Sequence, residues 1–421
     1  MPEPTTTLGP FRFGVNACSV PSREMAARFA SRYFLLNPIL GLITRRSLVL
    51  AALVLSVQRP SARAEDSVAY VYENYREEDG RITVVTQSSS VNEDIAFNGH
   101  IQLTGAIDAV SGATPTGRPA APGSNQVPLA EITSRRKAWS GDYSEQIQNF
   151  NIDASFAESR ESDFVSWGWS VNTLTDFNQK NTTLRVGIAG TDDRVEVIFG
   201  PDYLSKHTQD AILGITQVLN PTTFVTVNVS LGQSTGYLSE PYKIVEKAVE
   251  ILPSIFLDEE FAENSPNERE RDSLFASLNH SFPAARGAVE GSYRFYSDSF
   301  GIVAHTLQLS WLQHVGPKIV VAPSFRFYTQ TAARFYYYDI DDTPISPARI
   351  PMGTAPYYTS DFRLSAEESI SYAMRATWKA SDWMQMDASY ELYTMHGRDG
   401  ITPESAYPRA GISTIGVKFL W

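Results

Sequence analysis

Side chains able to do chemistry are sparse in this chain, and they fall into three groups. The first is acidic: Asp339-Ile-Asp341-Asp342 follows directly on Arg334-Phe-Tyr-Tyr-Tyr338. Hard cations prefer such oxygen clusters, so Asp339, Asp341 and Asp342 are candidate metal ligands, although the EF-hand spacing is absent. The plainer reading is an acidic surface loop behind an aromatic girdle, and Glu259-Glu260 and Asp192-Asp193 read the same way. The second group is the histidines, His100, His207, His280, His305, His314 and His396, which are scattered along the chain. Only His305, with Ser297 and Asp298 close in sequence, offers the parts of a nucleophile, a base and an orienting group. No G-x-S-x-G, P-loop or H-E-x-x-H occurs. No catalytic residue is assigned, and an enzyme is the weakest of the readings. The third group is Glu290, Arg294, Arg326, Arg375, Asp387, Glu391 and Lys418, each inside a segment where apolar and polar residues alternate. Such charges could line a wet bore and set its ion preference, or fill it with a structural salt-bridge network.

The elements that carry this third group have a period of two, the repeat of a strand whose faces meet different surroundings. Leu307, Leu309 and Trp311 oppose Thr306, Gln308 and Ser310. Val289, Tyr293 and Phe295 oppose Glu290, Ser292 and Arg294; Phe325 and Phe327 oppose Ser324 and Arg326. Tyr372 and Met374 oppose Arg375, and Tyr390 and Leu392 oppose Asp387 and Glu391. At the end of the chain Ile415, Val417, Phe419 and Trp421 share one face, with Thr414, Gly416 and Lys418 on the other. An apolar terminal strand left as an edge invites aggregation. Closing it onto the first strand removes that edge, and lipid contact accounts for the apolar side. Leu307, Leu309, Trp311, Phe325, Phe327, Ile415, Val417, Phe419 and Trp421 are therefore expected to face lipid.

Sixteen strands can be read: three before residue 110, then about 134–148, 152–160, 164–176, 181–190, 206–219, 223–234, 270–282, 286–297, 302–314, 318–330, 364–379, 383–395 and 409–421. One misread hairpin would make the number fourteen. Seven alternate connections are short and rich in turn formers, Asn92-Glu93-Asp94, Asn178-Gln179-Lys180 and Pro283-Ala284-Ala285 among them. The other set holds every long segment: 109–133, 191–205, 235–269, 331–363 and 396–408. Short turns on one rim and long loops on the other mark an outer-membrane barrel; a soluble sandwich has no cause to sort its loops so. The expected fold is an all-β, antiparallel, up-and-down transmembrane barrel with short periplasmic turns and long extracellular loops.

The start of the chain reads as an export leader. Arg45-Arg46 precede an apolar run from Ser47 to Val57, and Ala62-Arg63-Ala64 offers a cleavage site before Glu65. Residues 1–64 are thus taken as an over-called start plus a secretory signal, and 65–421 as the barrel. A barrel must cross the inner membrane unfolded, which favours the general secretory route to the outer membrane. Cys18, the only cysteine, precedes Glu65, leaving no disulfide or cysteine metal site downstream. Residues 1–64 hold 8 basic and 2 acidic residues, so 65–421 keep 27 and 45, a formal charge of −18 that argues against nucleic-acid partners.

Several segments taken in order are similar to one known family. They include Val110-Ser-Gly-Ala-Thr-Pro-Thr-Gly117, Asp176-Phe-Asn-Gln-Lys-Asn-Thr-Thr183, Gly236-Tyr-Leu-Ser-Glu-Pro-Tyr-Lys243, Tyr293-Arg-Phe-Tyr-Ser-Asp-Ser-Phe-Gly301 and Ala304-His-Thr-Leu307. Together, over roughly Ser67 to Trp421, the chain resembles a bacterial family catalogued as a domain of unknown function, family number 3570. The resemblance implies an outer-membrane barrel and carries over no substrate or catalytic residue. Genes of that family tend to lie beside those for flavin-attaching enzymes and small lipoproteins, which implies an envelope redox or metal-handling setting. The first functional expectation is a channel or transport component. The rival is a non-conducting scaffold for a periplasmic lipoprotein or flavin/redox partner. No cofactor is expected in the chain itself: with no C-x-x-C-H, a haem or flavin would have to come from a partner. Membrane lipid, and the barrel-assembly machinery during biogenesis, complete the expected partners.

Overall fold

A segment with one apolar and one polar face needs two different surroundings, and sixteen such segments obtain them by closing on one another. The computed structural model describes residues 66–421 apart from 96, 97, 122, 198, 201, 202, 241, 242, 342, 351 and 352. Its strands are β1 (Ser67–Glu77), β2 (Ile82–Ile95), β3 (Gly99–Pro115), β4 (Leu129–Ile147), β5 (Phe150–Arg160), β6 (Phe164–Phe177), β7 (Thr182–Glu196), β8 (Tyr203–Asn220), β9 (Thr223–Gly236), β10 (Ile244–Leu252), β11 (Ile255–Ala262), β12 (Glu268–Phe282), β13 (Gly287–Asp298), β14 (Val303–Val315), β15 (Ile319–Gln330), β16 (Glu367–Ser381), β17 (Met384–Gly397) and β18 (Arg409–Leu420). All but β10 and β11 pair antiparallel in one closed ring of sixteen strands, with β9 next to β12. The ring is shut by β1 on β18, in register from Ser67↔Leu420 to Glu77↔Ala410. The backbone N–H of Trp421 extends this seam by donating to the carbonyl of Asp66 at 3.1 Å. The architecture is the one the alternation dictates. Among the described residues no helix is long and apolar enough to cross a membrane.

The two faces of each strand differ as the two surroundings require. On β16, Ser369 and Ser371 are 2% and 4% exposed, while Tyr372 and Met374 beside them are 59% and 50% exposed. The same apolar exposure recurs at Leu213, Leu231, Leu309 and Ile415. In water that surface would be an aggregation liability; in hydrocarbon it is the required exterior. The strands pair side by side right around the ring, which is the condition for any β-structure in lipid.

Three expectations need correction. The segment 235–269 is not a plain loop: it holds β10 and β11, an antiparallel hairpin outside the barrel sheet. Its tip, Ile251-Leu-Pro-Ser-Ile-Phe-Leu257, is apolar on both faces, so it lacks the alternation that reveals a strand. The turn placed at Asn92-Glu93-Asp94 is strand: β2 runs through it to Ile95, where Glu93 pairs with Ile101 and the Asp94 N–H donates to the Asp66 carboxylate at 2.7 Å. Turn-forming residue types at a strand end had mimicked the turn itself. Connections sort by rim, with 116–128, 237–267, 331–366 and 398–408 long and on one side; 191–205, expected as a long segment, is mostly the ends of β7 and β8. The leader assigned to residues 1–64, with Cys18, lies outside the described residues.

Leu309 is the central residue of β14 on the exposed face, and Ser310 follows it on the other. Leu309→Arg is expected to lower stability by about 2–4 kcal/mol, the cost of a cation at mid-depth in lipid. Ser310→Arg should cost far less. Urea unfolding of the two variants refolded into lipid vesicles measures the difference.

Candidate functional site: a charged bore under a loop cap

Register carries the inner face from strand to strand, and it shows a polar, charged interior. One level reads Ser140, Ala157, Gly168, Thr191, Thr208 and Ser234 across β4 to β9, small residues throughout. The next residue on that level is Arg269 of β12. Other levels of β4 to β8 carry Arg136, Asp153, Arg185, Asp193, Lys206 and Asp210, and from β12 to β1 the inner face carries large and charged groups as well. Glu290, Arg294, Arg326, Arg375, Asp387, Glu391 and Lys418 all take inner positions in this register. They descend the wall instead of forming one ring. Glu290 and Glu391 share a level through Ser310, Ser324 and Ala373, and Arg326 lies one level outward beside Ser371. Arg375 donates to Asp387 at 2.9 Å, and Thr377 and Gln385 donate to the same carboxylate. Arg294 and Arg326 lie over the rings of Phe275 and Tyr328, at 5.7 and 5.5 Å. Further inner pairs are Arg271 to Asp210 at 3.1 Å and Arg269 Nε to Asp298 at 2.9 Å. Arg-to-carboxylate bonding thus accounts for part of the interior charge.

The lipid-facing expectations fall on the opposite parity. Leu307, Leu309, Ile415, Phe419 and Trp421 are exposed, while Trp311, Phe325, Phe327 and Val417 are half-buried on the same outward face. Phe325 leans on Tyr372, and the rings of Trp383 and Phe419 stack with an interplanar angle of 10°.

The long loops fold inward and meet in a cap, and here lies the group of residues that sequence reasoning missed. Asp361 caps the single turn Phe362–Leu364 by accepting from the Arg363 N–H at 3.1 Å. The Arg363 guanidinium grips the Asp361 carboxylate with Nε 2.7 Å from both oxygens, and its Nη2 reaches Glu240 at 3.0 Å. Glu263 accepts from the Glu240 N–H and the Thr359 hydroxyl. Lys243 donates to Thr114 Oγ1 at 3.2 Å and to the Pro115 carbonyl, with its Nζ 5.3 Å from the centre of the Phe362 ring. Lys243, Glu263, Asp361 and Arg363 are 1%, 2%, 4% and 7% exposed.

These residues come from three places on the ring: the end of β3, the segment after β9 and the segment before β16. The steps between those strands are six, five and five around the sixteen-strand ring. Chains arriving from three nearly even points meet in one buried cluster at the long-loop rim. Gly117 makes one meeting possible: at φ +101, a Cβ there would lie 2.2 Å from the Ile244 carbonyl oxygen. Two apolar clusters bed the cap on the wall, one joining Phe362 to Tyr75, Val110, Tyr393 and Ile412, the other joining Leu364 and Phe335 to Tyr296, Ala304 and Tyr328.

Charge in the cap is nearly balanced. Burial pushes the Glu263 carboxyl above its usual range, and the neighbouring Asp361 adds to the rise, while its two hydrogen-bond donors oppose it. With Glu263 protonated, Arg363 and Lys243 balance Asp361 and Glu240. Burial also pushes Lys243 down, to about 8, against the pull of Asp361.

The other candidate groups are not assembled. Among the described residues no three His, Cys, Asp or Glu side chains come together as a metal ligand set. Asp339 accepts from the Asp341 N–H and Asp341 from the Ala248 N–H, which orders this loop against β10; Asp342 lies outside the described residues. His305 pairs with Tyr293 at 2.7 Å on the outward face, while Asp298 points inward to Arg269 and Tyr296. The two cannot act on one substrate.

A closed antiparallel ring, apolar outside and charged within, defines a β-barrel of the outer-membrane type. The chain matches the family described as "Protein of unknown function (DUF3570)" over residues 45–405, and it belongs to that family. No curated protein matches it. Among solved structures it is similar to the siderophore receptor PirA from Pseudomonas aeruginosa, at 12% identity and a TM-score of 0.41, covering 86% of this chain and 62% of that one. It is also similar to OmpT of Vibrio cholerae, at 8% identity and a TM-score of 0.41, covering 87% and 100%. The CymD monoaromatic hydrocarbon channel is similar at 11% identity and a TM-score of 0.39, covering 90% and 93%. The chain spans about three fifths of the length of the siderophore receptors it matches.

Arg363→Met leaves the Asp361 carboxylate buried without its partner, a loss of about 3–5 kcal/mol concentrated in the cap. Hydrogen exchange should accelerate at residues 359–365 while the β14 amides keep their protection. A second expectation concerns pH. Glu263 has its pKa raised on folding, so the closed cap takes up a proton and its stability falls as pH rises from weak acid toward about 8. Lys243 has its pKa lowered, and its penalty is relieved only above about 8. Glu263→Gln should therefore flatten the acid-to-neutral decline in protection, read from the same amides.

Proposed function

We propose that this barrel is a transport component of the bacterial outer membrane, a polar conduit whose extracellular mouth is held shut by the loop cap. The observation that carries the reading is the charged inner face: basic and acidic side chains lie on it all round the ring, from Arg136, Asp153 and Arg185 to Arg375, Asp387 and Lys418. Such a lining keeps the interior polar and would orient whatever passes. Ion preference would then follow from Glu290, Arg294, Arg326, Arg375, Asp387, Glu391 and Lys418, as charged linings do in other pores. Delivery by the secretory route and insertion by the assembly machinery fit such a barrel. An envelope redox or metal-handling role, with a lipoprotein or flavin-bearing partner on the periplasmic side, follows from the resemblance alone.

The cap itself favours a second reading, a non-conducting sleeve that holds a periplasmic partner. A mouth tied at three points and filled with apolar side chains is well made for staying closed.

Planar-bilayer recording in potassium chloride separates the two. Wild-type protein is expected to show rare openings, and Arg363→Met or Lys243→Met should raise the open fraction by at least about tenfold, for which about 1.4 kcal/mol of lost closure suffices. If neither wild type nor cap variant ever carries current, the conduit reading fails and the sleeve stands.

A further inference from the structure

The outward face of the barrel carries a trough that transport does not use. Along β18, Gly411 and Ser413 present almost no side chain to the outside. Asn74 of β1 and Tyr390 of β17 stand level with Ser413, and Arg76 of β1 stands level with Gly411. Ile415, level with Tyr72, ends the trough toward the middle of the membrane, and the turn Glu78–Gly80 borders it at the long-loop rim. The space between measures about 640 Å³. Gly411 leaves room for the Tyr390 hydroxyl, which would stand 2.8 Å from a Cβ at that position.

The lining has a specific chemistry. Asn74 Oδ1 is buried with no hydrogen-bond partner. Arg76 is exposed and pairs with no carboxylate among the described residues. Tyr390, 52% exposed, offers a ring face and a hydroxyl. A guanidinium suits a phosphate, which it can grip with two parallel hydrogen bonds. An amide oxygen, a serine and a tyrosine suit hydroxyl groups, and the ring suits the apolar face of a sugar. The volume falls within the range of small-molecule sites, roughly 300–1,000 Å³, and exceeds what a bare phosphate needs. Its place, two residues from the end of β1 on the apolar exterior, is where lipid headgroups meet the wall.

We propose that this trough binds the headgroup of a phosphorylated membrane glycolipid. Arg76 takes the phosphate, Tyr390 and Ser413 take the sugar, and Asn74 Oδ1 accepts from a sugar hydroxyl. The acyl chains run down over Tyr72 and Ile415.

The test uses the full barrel, purified in detergent with magnesium and exposed to graded amounts of a diphosphorylated glucosamine-disaccharide lipid or of phosphatidylglycerol. Retained lipid is counted by native mass spectrometry. The glycolipid should be retained at a concentration roughly tenfold lower than phosphatidylglycerol, the difference of one good polar contact or more. Gly411→Leu, which fills the trough, should erase that preference. Arg76→Gln, a surface change that leaves the wall intact, should weaken retention by about tenfold. Heat-modifiable gel mobility confirms that each variant is still a closed barrel. Equal retention of the two lipids by wild type, or undiminished glycolipid retention by Arg76→Gln, would mean ordinary annular lipid and overturn the proposal.

Discussion

A backbone amide in hydrocarbon has no water to turn to, and that constraint shapes this molecule before any side chain is considered. Every N–H and C=O in the wall must find a partner on a neighbouring strand, so the sheet has to close. The seam between β1 and β18 is where closure is achieved, with eleven residues of β1 in register. Once the ring exists, each strand has one side in lipid and one side in the bore. The period-two pattern is the chemical record of that division. The turns and loops inherit their sorting from it as well, because consecutive strands must reverse at alternate rims.

Within the ring, charge is spread right round the inner face: β4 to β8 carry Arg136, Asp153, Arg185, Asp193, Lys206 and Asp210, and β12 to β1 carry a further set of arginines, carboxylates and tyrosines. Pairing between strands, as in Arg375 to Asp387 on neighbours and Arg271 of β12 to Asp210 of β8 across β9, keeps part of that charge satisfied within the wall. The loops then use the outer end of the wall as a bed. Phe362 and Leu364, two residues apart, enter separate apolar clusters on either side of β16. The ion cluster above them is held by buried hydrogen bonds whose geometry would be costly to break one at a time.

Much of the wall was legible in the sequence because its cause is local. Leu307, Leu309 and Trp311 can be told from Thr306, Gln308 and Ser310 by looking two residues in either direction. The strand boundaries were less legible at the rims, where Asn92-Glu93-Asp94 have turn-forming chemistry yet lie in β2. The cap was not legible, for a different reason. Lys243 meets residues 114 and 115, and Glu240 meets Arg363, contacts made between segments more than a hundred residues apart. No periodicity carries such information. The alternation Asp361-Phe-Arg363 just before β16 was the one local hint, and it reads equally well as the start of a strand. The β10–β11 hairpin escaped because its tip has apolar residues on both faces.

The three nearly even anchor points of the cap have a mechanical meaning. A thin cylinder is stiff along its length but soft to squeezing, most of all at an open end. Struts set six, five and five strands apart turn the open end into a triangulated hoop, and a hoop so braced cannot flatten into an ellipse under lateral pressure from the surrounding bilayer. The turns at the opposite rim are tight. Deformation under tension should therefore be graded from one end of the cylinder to the other, greatest where the chain reverses in two to four residues.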